Sequence, residues 1–340
     1  MTAPLRLRLD TAALQDNWRA LARISGPAAC GAAVKANGYG LGATVVASHL
    51  AAAGCRDFFV ATWAEAERLA GLGLPNLSVL HGVRDADMDL ARSAMARPVL
   101  STPAQVTRWR DAGGGACDVM VDTGMNRLGV APQDVHDGLL DGLRIETLMS
   151  HLACADEDHP MNARQRDRFA SLAGVTGARR MSLANSAGIA LGSGYHFDLV
   201  RPGIALYGGV PRDDLAGVIR QVAYPEAQIL QRRTVRAGDT VGYNATWTAT
   251  HDTEVAILNL GYADGYRRAF SDRGSGEGGA LPVIGRVSMD LVAIDVTARP
   301  ALAEGDWVTL DYALPAAAMR SGVSQYELLT GLGTRFAKQG

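Results

Sequence analysis

Residues 30–61 read CGAAVKANGYGLGATVVASHLAAAGCRDFFVA, and this stretch contains the unit from which the fold can be predicted. The apolar runs Cys30–Val34 and Phe58–Ala61 have the length of buried strands, and Ala43–Ala53 between them has the periodicity of a helix. Two strands that are joined through a helix lie parallel in one sheet. The stretch therefore predicts a strand–helix–strand unit, with Lys35 at the carboxyl end of its first strand.

The same alternation continues through the first two thirds of the chain. Besides Ala43–Ala53, helices are predicted at Thr11–Ile24, which Asp10 can cap, and at Trp63–Ala70, Pro103–Ala112 and Met161–Leu172. Eight strands are predicted, at Cys30–Val34, Phe58–Ala61, Leu77–Leu80, Pro98–Ser101, Cys117–Asp122, Ile145–His151, Met181–Ala184 and Phe197–Arg201. This pattern indicates an α/β fold, a (β/α)8 TIM-type barrel, although a doubly wound open sheet fits the alternation almost as well.

After about Tyr224 the helical periodicity ends and strand-like runs follow one another. These runs are Gln228–Val235, Thr253–Leu260, Leu281–Ile284, Leu291–Val296 and Trp307–Leu310, with turn signals between them. We therefore predict a barrel domain at residues 8–223 and a C-terminal β-rich domain at residues 224–340. Residues 1–7 are predicted to add a strand to the second domain, because leucine alternates with arginine from Leu5 onward.

Charge balance and the first residues argue against several classes of protein. With 33 basic and 35 acidic side chains the formal net charge is −2, which argues against a nucleic-acid partner or an electrostatic membrane anchor. The N-terminus lacks the apolar run of a signal peptide, and no run approaches the ~18 apolar residues of a membrane span. The four cysteines are widely spaced, which is typical of reduced thiols rather than of a zinc site. We expect a cytoplasmic protein without a metal site.

Lysine is rare in this chain, and the position of one lysine suggests chemistry. Only Lys35 and Lys338 are lysines among the 33 basic residues. Lys338 lies near the end of the chain, where a solvated side chain is expected. Lys35 follows an apolar strand, where burial of an ammonium group is costly and arginine would otherwise serve. A side chain that only extends from the strand end into solvent explains Lys35 equally well at this stage.

Polar residues end six of the eight predicted strands. They are Lys35, His81, Asp122, His151, the pair Asn185–Ser186, and Arg201. The carboxyl ends of barrel strands converge on one site, and the loops after the last two strands commonly bind phosphate. A phosphate site beside a lysine suggests pyridoxal 5′-phosphate, whose aldehyde a lysine amine binds as a Schiff base. A sugar-phosphate aldolase uses the same two features, so these residues alone leave both possibilities open.

A series of motifs, in order over nearly the whole chain, resembles the motifs of alanine racemases. They are Val34–Gly42 (VKANGYGLG), Val121–Gly129 (VDTGMNRLG), Ser150–Ala153 (SHLA), Asn185–Ala187 (NSA), Arg201–Gly208 (RPGIALYG), Val241–Trp247 (VGYNATW), Gly261–Gly265 (GYADG), Gly285–Asp290 (GRVSMD) and Tyr326–Leu329 (YELL). The resemblance implies an isomerase with pyridoxal 5′-phosphate that interconverts L-alanine and D-alanine and supplies D-alanine for cell-wall peptidoglycan. It also implies a barrel, a C-terminal β domain and a homodimer with shared active sites.

The resemblance also assigns a role to individual residues. Lys35 resembles the lysine that binds the cofactor and acts as one base, and Tyr243 of the partner subunit resembles the second base. Arg201 resembles the group that faces the pyridine nitrogen, and His151 resembles its hydrogen-bonded neighbour. The remaining positions resemble the phosphate-binding set (Tyr39, Ser186, Gly203, Ile204 and Tyr326), the substrate-carboxylate set (Arg127 and the backbone of Met289) and the entrance to the site (Tyr262, Asp156, Arg268 and Arg286).

These residue types suit a two-base racemisation. A proton must leave one face of Cα and another must reach the opposite face, which two opposed bases achieve without movement of either base around the ring. Desolvation would lower the pKa of the Lys35 amine toward its working range, and His151 beside Arg201 would favour the phenolate of Tyr243. Arginine, with a pKa above ~12, does not readily protonate a ring nitrogen. A neutral ring is a weaker electron sink, which favours reprotonation over transamination or elimination.

Two positions depart from the family pattern. Many members carry a carbamylated lysine two residues before the aspartate at position 122, where it braces the substrate-binding arginine, but this chain has Met120. Another anion, a bound chloride or a nearby carboxylate, is then needed beside Arg127, and activity is expected to need no bicarbonate. The chain also ends sooner than many relatives, at Gly340.

Other functions are weighed against this interpretation. A serine racemase, a broader amino-acid racemase or a decarboxylase of the same fold stays open, because Tyr326 discriminates only weakly through the size of the pocket. A non-catalytic protein that binds pyridoxal phosphate is disfavoured, because its usual relatives consist of the barrel alone and lack a domain with Tyr243. A barrel aldolase is disfavoured as well, because it needs neither Tyr243 nor Arg201.

Overall fold

A computed structural model describes residues 4–93 and 95–339 and divides the chain into two compact units. The barrel unit contains Leu14–Arg220, and the β unit contains the chain before Leu14 together with the chain from Gln221 onward. Residues 1–3 of the predicted added strand lie outside the described residues.

The described chain begins with strand β1 (Leu5–Leu9) and helix α1 (Thr11–Ile24), and short parallel strands follow. These strands are β2 (Ala29–Cys30), β3 (Ala32–Ala33), β4 (Asp57–Val60), β5 (Asn76–Val79), β6 (Arg97–Leu100), β7 (Cys117–Met120), β8 (Ile145–Met149), β9 (Arg180–Ser182) and β10 (Leu199–Val200). Strands β3 to β9 pair in chain order, and every neighbouring pair is parallel.

Strand β10 closes this sheet into a barrel. It pairs in parallel with β2, and on its other side the amide of Arg201 donates to the carbonyl of Ala184, 2.8 Å away, beyond β9. Strands β2 and β3 form one strand that is interrupted at Gly31. The closed arrangement has eight strand positions, so the predicted (β/α)8 barrel is confirmed and the open sheet is wrong.

Helices lie between the barrel strands, and several have side-chain caps that are visible in the sequence. They are α2 (Lys35–Tyr39), α3 (Ala43–Ala53), α4 (Trp63–Leu69), α5 (Met88–Arg92), α6 (Pro103–Asp111), α7 (Pro132–His136), α8 (Pro160–Ala170) and α9 (Ser186–Ala190). Within α2, residues 36–38 have left-handed φ and ψ, so this element is a left-handed turn rather than a regular α-helix. Thr62 and Glu65 form a capping box at the start of α4, and Thr102 caps α6 with Pro103 in its first turn. These polar groups satisfy amides that have no partner within the helix.

The amino ends of the barrel strands carry buried ion pairs. Arg180 Nη2 lies 2.7 Å from Asp57 Oδ1, and the fully buried Asp118 accepts from Ser78 Oγ at 2.6 Å and pairs with Arg97 at 3.5 Å. Pairing of these charges is needed for stability, because an unpaired buried charge destabilises the folded chain by several kcal/mol. These groups therefore stabilise the end of the barrel that carries no ligand in folds of this type.

The β unit is built around a long strand. Its strands are β11 (Ala223–Val235), β12 (Thr240–Val241), β13 (Trp247–Thr248), β14 (Thr253–Leu258), β15 (Ser275–Gly276), β16 (Leu281–Ile284), β17 (Val292–Asp295), β18 (Trp307–Thr309) and β19 (Ala337–Gln339). The largest sheet has the order β15-β16-β17-β14-β11-β1-β19, with β18 also paired to β11. Strand β1 is antiparallel to β11, buries Leu5, Leu7 and Leu9, and directs Arg6 and Arg8 to the buried carboxylate of Glu226.

Two helices in the β unit contradict the expectation that helical structure ends near Tyr224. Helix α10 spans Leu314–Ser321 and helix α11 spans Gln325–Thr330. Ser324 and Glu327 form a capping box at the start of α11, so a signal for this helix was present in the sequence. The segments are short, which is why their apolar periodicity was too weak to stand out among the strands.

The lack of space around Gly31 predicts that any side chain at this position destabilises the barrel. A Cβ atom at this position would lie 2.9 Å from both the Asp57 carbonyl oxygen and the Phe59 ring. We expect Gly31→Ala to lower the free energy of unfolding by about 1–3 kcal/mol in urea titrations, because backbone of the neighbouring strand must move. Gly71→Ala is the matched control, because nothing lies within 4 Å of its Cβ position. Equal stability of the two variants would contradict the prediction.

Candidate active site

The carboxyl ends of three barrel strands bring together Lys35, His151 and Arg201. Lys35 lies two residues after β3, His151 two residues after β8, and Arg201 directly after β10. Predicted strands Ile145–His151 and Phe197–Arg201 are therefore longer than the observed strands. The difference matters for function, because these side chains lie on the rim of the barrel rather than within the sheet.

The charged groups around this rim act on one another. Burial, together with the positive charges of Arg201, Arg127 and Lys35, lowers the pKa of His151 to about 3. Burial also lowers the pKa of Lys35, as do Arg127 and Arg201, whereas Glu65 raises it. The arrangement therefore keeps His151 neutral at physiological pH and makes the amine of Lys35 easier to deprotonate than a free lysine.

Arg201 is held rigidly and keeps its charge. Its Nη2 donates to the Ser150 carbonyl at 2.6 Å and its Nη1 donates to Ser182 Oγ, while Ser182 Oγ donates to the Leu199 carbonyl at 2.5 Å. Burial lowers the pKa of Arg201 to about 10, and the carboxylate of Asp118 opposes this shift. The guanidinium group is therefore cationic at neutral pH, so it can donate hydrogen bonds but does not readily give up a proton.

Donor groups that fit a phosphate converge after β9 and β10. Asn185 caps α9, and the hydroxyl of Ser186 accepts from the amides of Gly203 at 2.8 Å and Ala205 at 3.2 Å. A Cβ atom at Gly203 would lie 2.1 Å from Tyr39 Oη, so only glycine allows the tyrosine hydroxyl this approach. Ile204 is buried at the start of the next turn. Two hydroxyl groups and main-chain amides are the donor set of a phosphate cradle.

Arg127 lies in the loop that follows β7. Asp122 shapes this loop through its Oδ1, which accepts from the amides of Gly124 at 2.8 Å and Asn126 at 3.1 Å. Among the ion pairs of residues 4–93 and 95–339, none includes Arg127. Met120 is buried at the end of β7. A nearby carboxylate as the brace of Arg127, which the sequence left open, is thus absent from the described part of the chain.

The other predicted site residues, except Asp156, belong to the β unit. Tyr243 follows β12 and is 67% exposed, and with Arg286 it lines a cavity of about 520 Å³ within that unit. The amide of Tyr262 donates to the Ser288 carbonyl at 3.0 Å, next to Met289. The guanidinium of Arg268 lies 4.9 Å from the ring centroid of Tyr262. Tyr326 lies in α11 and is half-exposed. Asp156 is exposed in a turn of the barrel unit.

Two positioning groups were not found by the sequence analysis. Gln165 of α8 is buried, accepts from the amide of Ala153 at 2.9 Å, and donates to the carbonyl of His151 at 2.9 Å and to Thr123 Oγ1 at 3.2 Å. Glu65 accepts from the amide that follows Lys35, at 2.6 Å. The capping pattern at Thr62 signals Glu65 only as a cap, and no local pattern signals Gln165, because its partners are distant in sequence.

The described residues contain neither a cluster of metal ligands nor a helix that could cross a membrane. No group of three or more His, Cys, Asp or Glu side chains could hold a metal ion within residues 4–93 and 95–339. In the same part of the chain, no helix has both the length and the apolar character that a membrane span requires.

His151 predicts a loss of stability in acid. Its pKa is about 3 in the folded chain and about 6.5 when unfolded, so between these values the unfolded chain binds a proton that the folded chain does not. The free energy of unfolding therefore falls as pH drops below about 6.5, by up to about 1.4 kcal/mol per pH unit. Urea titrations of the cofactor-free chain are expected to show a shallower pH dependence for His151→Gln.

His136→Gln serves as the control for this substitution, because His136 is exposed at the end of α7. Its pH dependence is expected to match that of the unchanged chain. If His151→Gln and the unchanged chain lose stability in parallel below about pH 6.5, the neutral state assigned to His151 is wrong.

Comparison with known proteins agrees with this arrangement. Residues 9–211 match the family model "Alanine racemase, N-terminal domain" and residues 222–339 match "Alanine racemase, C-terminal domain". The chain is 44% identical to an alanine racemase of Acidiphilium cryptum, covering 98% of this chain and 97% of the relative, and 43% identical to one of Rhodospirillum rubrum, covering 98% and 95%.

A solved structure shows the same fold. The crystal structure of alanine racemase from Bartonella henselae with covalently bound pyridoxal phosphate superposes with a TM-score of 0.90, at 33% identity, over 99% of each chain. The resemblance that was predicted from the motifs is confirmed over both units. This chain belongs to the alanine racemase family, whose members are isomerases that act on an amino acid.

Proposed function

We propose that this chain interconverts L-alanine and D-alanine with pyridoxal 5′-phosphate, as a cytoplasmic homodimer that supplies D-alanine for the cell wall. The observation that carries the proposal is the position of Lys35 on the barrel rim, beside Arg127, His151 and Arg201. The relatives at 44% and 43% identity are alanine racemases, and the Bartonella henselae enzyme binds pyridoxal phosphate covalently, which supports the same chemistry here.

The residues on the rim fit this cofactor. Lys35 would bind its aldehyde, and the hydroxyls of Ser186 and Tyr39 would donate to its phosphate, next to the Gly203 amide that donates to Ser186 Oγ. We assign Ile204 and Tyr326 to the same phosphate set from the family resemblance. Arg201 would donate a hydrogen bond to the pyridine nitrogen while it keeps its own proton. Pyridoxal phosphate, when bound, stabilises the negative charge that develops at the substrate Cα.

Proton transfer is assigned to two side chains on opposite faces of the substrate. Lys35 would take or return the proton at Cα on one face, since burial and the neighbouring arginines lower the pKa of its amine. Tyr243 of the partner subunit would act on the other face. The exposure of Tyr243 within its own unit leaves its hydroxyl available to a second subunit. His151, neutral at physiological pH, can accept a hydrogen bond from that phenol.

Arg127 and the backbone of Met289 are assigned to the substrate carboxylate. Arg127 forms no ion pair with a carboxylate in the described part of the chain, so its charge is available to an anionic substrate group. Tyr262, Asp156, Arg268 and Arg286 are assigned to the entrance, where polar side chains would guide a zwitterion. The contact between Arg268 and the Tyr262 ring supports a common role for these two residues.

Borohydride reduction of the holoenzyme tests the cofactor assignment. Peptide mapping is expected to find the reduced cofactor on Lys35 and none on Lys338, because only the first amine lies on the barrel rim. Lys35→Arg is expected to lose the label and to lower racemase activity by about 10³-fold or more. Lys338→Arg is expected to keep both the label and the activity of the unchanged chain. Label on any other residue contradicts the assignment. Faster turnover of serine or lysine than of alanine would favour a racemase of other specificity.

Tyr243→Phe tests the second base. Exchange of the Cα proton with solvent is expected to fall by about 10²–10⁴-fold on L-alanine and by much less on D-alanine, because Lys35 still serves the other face. The measurement is deuterium incorporation into each enantiomer before racemisation. Equal losses on both enantiomers would count against two opposed bases.

A mixing experiment tests whether sites are shared between subunits. A heterodimer of one Lys35→Arg subunit and one Tyr243→Phe subunit contains one site with both residues intact, if each site draws Lys35 and Tyr243 from different chains. Random mixing of the two inactive variants should then restore about a quarter of the normal activity. Mixtures as inactive as their parents would show that each site is formed by one chain.

A further inference from the structure

The segment directly after Lys35 has an unusual backbone. Ala36, Asn37, Gly38 and Tyr39 have φ values of 52°, 55°, 64° and 54°, so four consecutive residues have positive φ, and the first three also have the ψ of a left-handed helix. For residues other than glycine this conformation costs about 1–2 kcal/mol each and normally occurs at single positions. A complete left-handed turn must therefore be stabilised by specific contacts.

Main-chain hydrogen bonds provide part of this stabilisation. The amides of Gly38 and Gly40 donate to the carbonyls of Val34 and Ala36, each at 2.8 Å. Asn37 Oδ1 accepts from the amide of Ala43 at 3.0 Å, which fixes the far side of the turn to the start of α3. These bonds leave the amide of Ala36, the first residue of the turn, to be satisfied from outside.

Glu65 satisfies that amide. Its Oε1 accepts from Ala36 N at 2.6 Å, and its Oε2 accepts from Ala61 N at 2.8 Å and Thr62 N at 3.3 Å. The capping box of α4 needs only the second oxygen. The first oxygen makes a charge-assisted bond to the strained turn, and such bonds are stronger than those between neutral groups.

Glu65 also differs in charge from the other groups that face Lys35. Those groups are Arg127, Arg201 and the neutral imidazole of His151, and Glu65 is the carboxylate that acts on the Lys35 amine within the described residues. Burial, Arg127 and Arg201 lower the pKa of Lys35, and Glu65 raises it. One carboxylate thus acts on both the backbone and the charge of the lysine segment.

We propose that Glu65 is a positioning residue for Lys35: its carboxylate holds the left-handed turn through the amide of Ala36 and thereby sets the direction of the lysine side chain. The catalytic meaning of this placement rests on the proposed function of Lys35. The contact itself does not, so the two can be tested separately.

The small number of lysines allows a direct test, because Lys35 and Lys338 are the two lysines of the chain. The full chain, labelled with ¹³C,¹⁵N-lysine and freed of cofactor with hydroxylamine, gives one side-chain resonance for each lysine. Glu65→Gln is expected to move the titration midpoint of Lys35 to lower pH, because the opposing negative charge is gone. Lys338 is the internal reference and should not move.

Glu65→Asp separates the turn from the helix cap and keeps the variant series informative if Glu65→Gln folds poorly. Aspartate retains the charge and can cap α4, but it is one methylene shorter and should not reach Ala36 as well. Hydrogen exchange at the Ala36 amide is expected to become about tenfold faster in both variants, which corresponds to loss of one such hydrogen bond.

Glu67→Gln is the matched control, because Glu67 is exposed on the same helix and its substitution changes the charge equally. This variant should leave both the Lys35 titration and the Ala36 exchange unchanged. If Glu65 variants only lower the unfolding midpoint while Lys35 and Ala36 behave as in the control, the proposal is overturned. Failure of the unmodified chain to racemise alanine would refute the proposed function and leave this result intact.

Discussion

Parallel pairing of the first and last barrel strands is the constraint on which the site depends. Strand β10 binds β2, and that contact turns a sheet with two free edges into a ring. Only in the closed ring do the ends of β3, β8 and β10 face one another, so that Lys35, His151 and Arg201 act on a common space. Gly31 takes part in this closure, because its amide donates to the carbonyl of Val200 in β10 at 2.9 Å.

Closure also brings positively charged groups together at the rim of the barrel. Two carboxylates, one in the barrel interior and one on α4, partly offset this positive charge. Arg201 is buried between Ser150 and Ser182, and Asp118 in the barrel interior favours its charged form. Glu65 does the same for Lys35 from α4. Among the described residues, Arg201 and Lys35 thus each have a carboxylate at a distance rather than in a contact ion pair, which leaves polar hydrogens available to a ligand.

Much of this arrangement could be predicted from local sequence, and the rest depends on tertiary contacts. The number of barrel strands, the bounds of α1 and α3, and the place of Lys35 at the end of a strand follow from the periodicity of the sequence. The left-handed turn after Lys35 could not be predicted, because nothing in Ala36 or Tyr39 favours positive φ. The contacts of Glu65 and Gln165 with the segments at Lys35 and His151 could not be predicted from the local sequence either, because their partners lie across the barrel rim.

The charge of the rim finally indicates what kind of ligand can complete it. Lys35, Arg127 and Arg201 are basic groups, His151 is neutral, and no carboxylate forms an ion pair with Arg127 in the described residues. A ligand that brings a phosphate and a carboxylate would neutralise this surface, whereas an uncharged ligand would leave the buried guanidinium of Arg201 without an anionic partner. Met120, buried at the end of β7, agrees with this, since an apolar thioether neither supplies nor opposes charge beside the loop of Arg127.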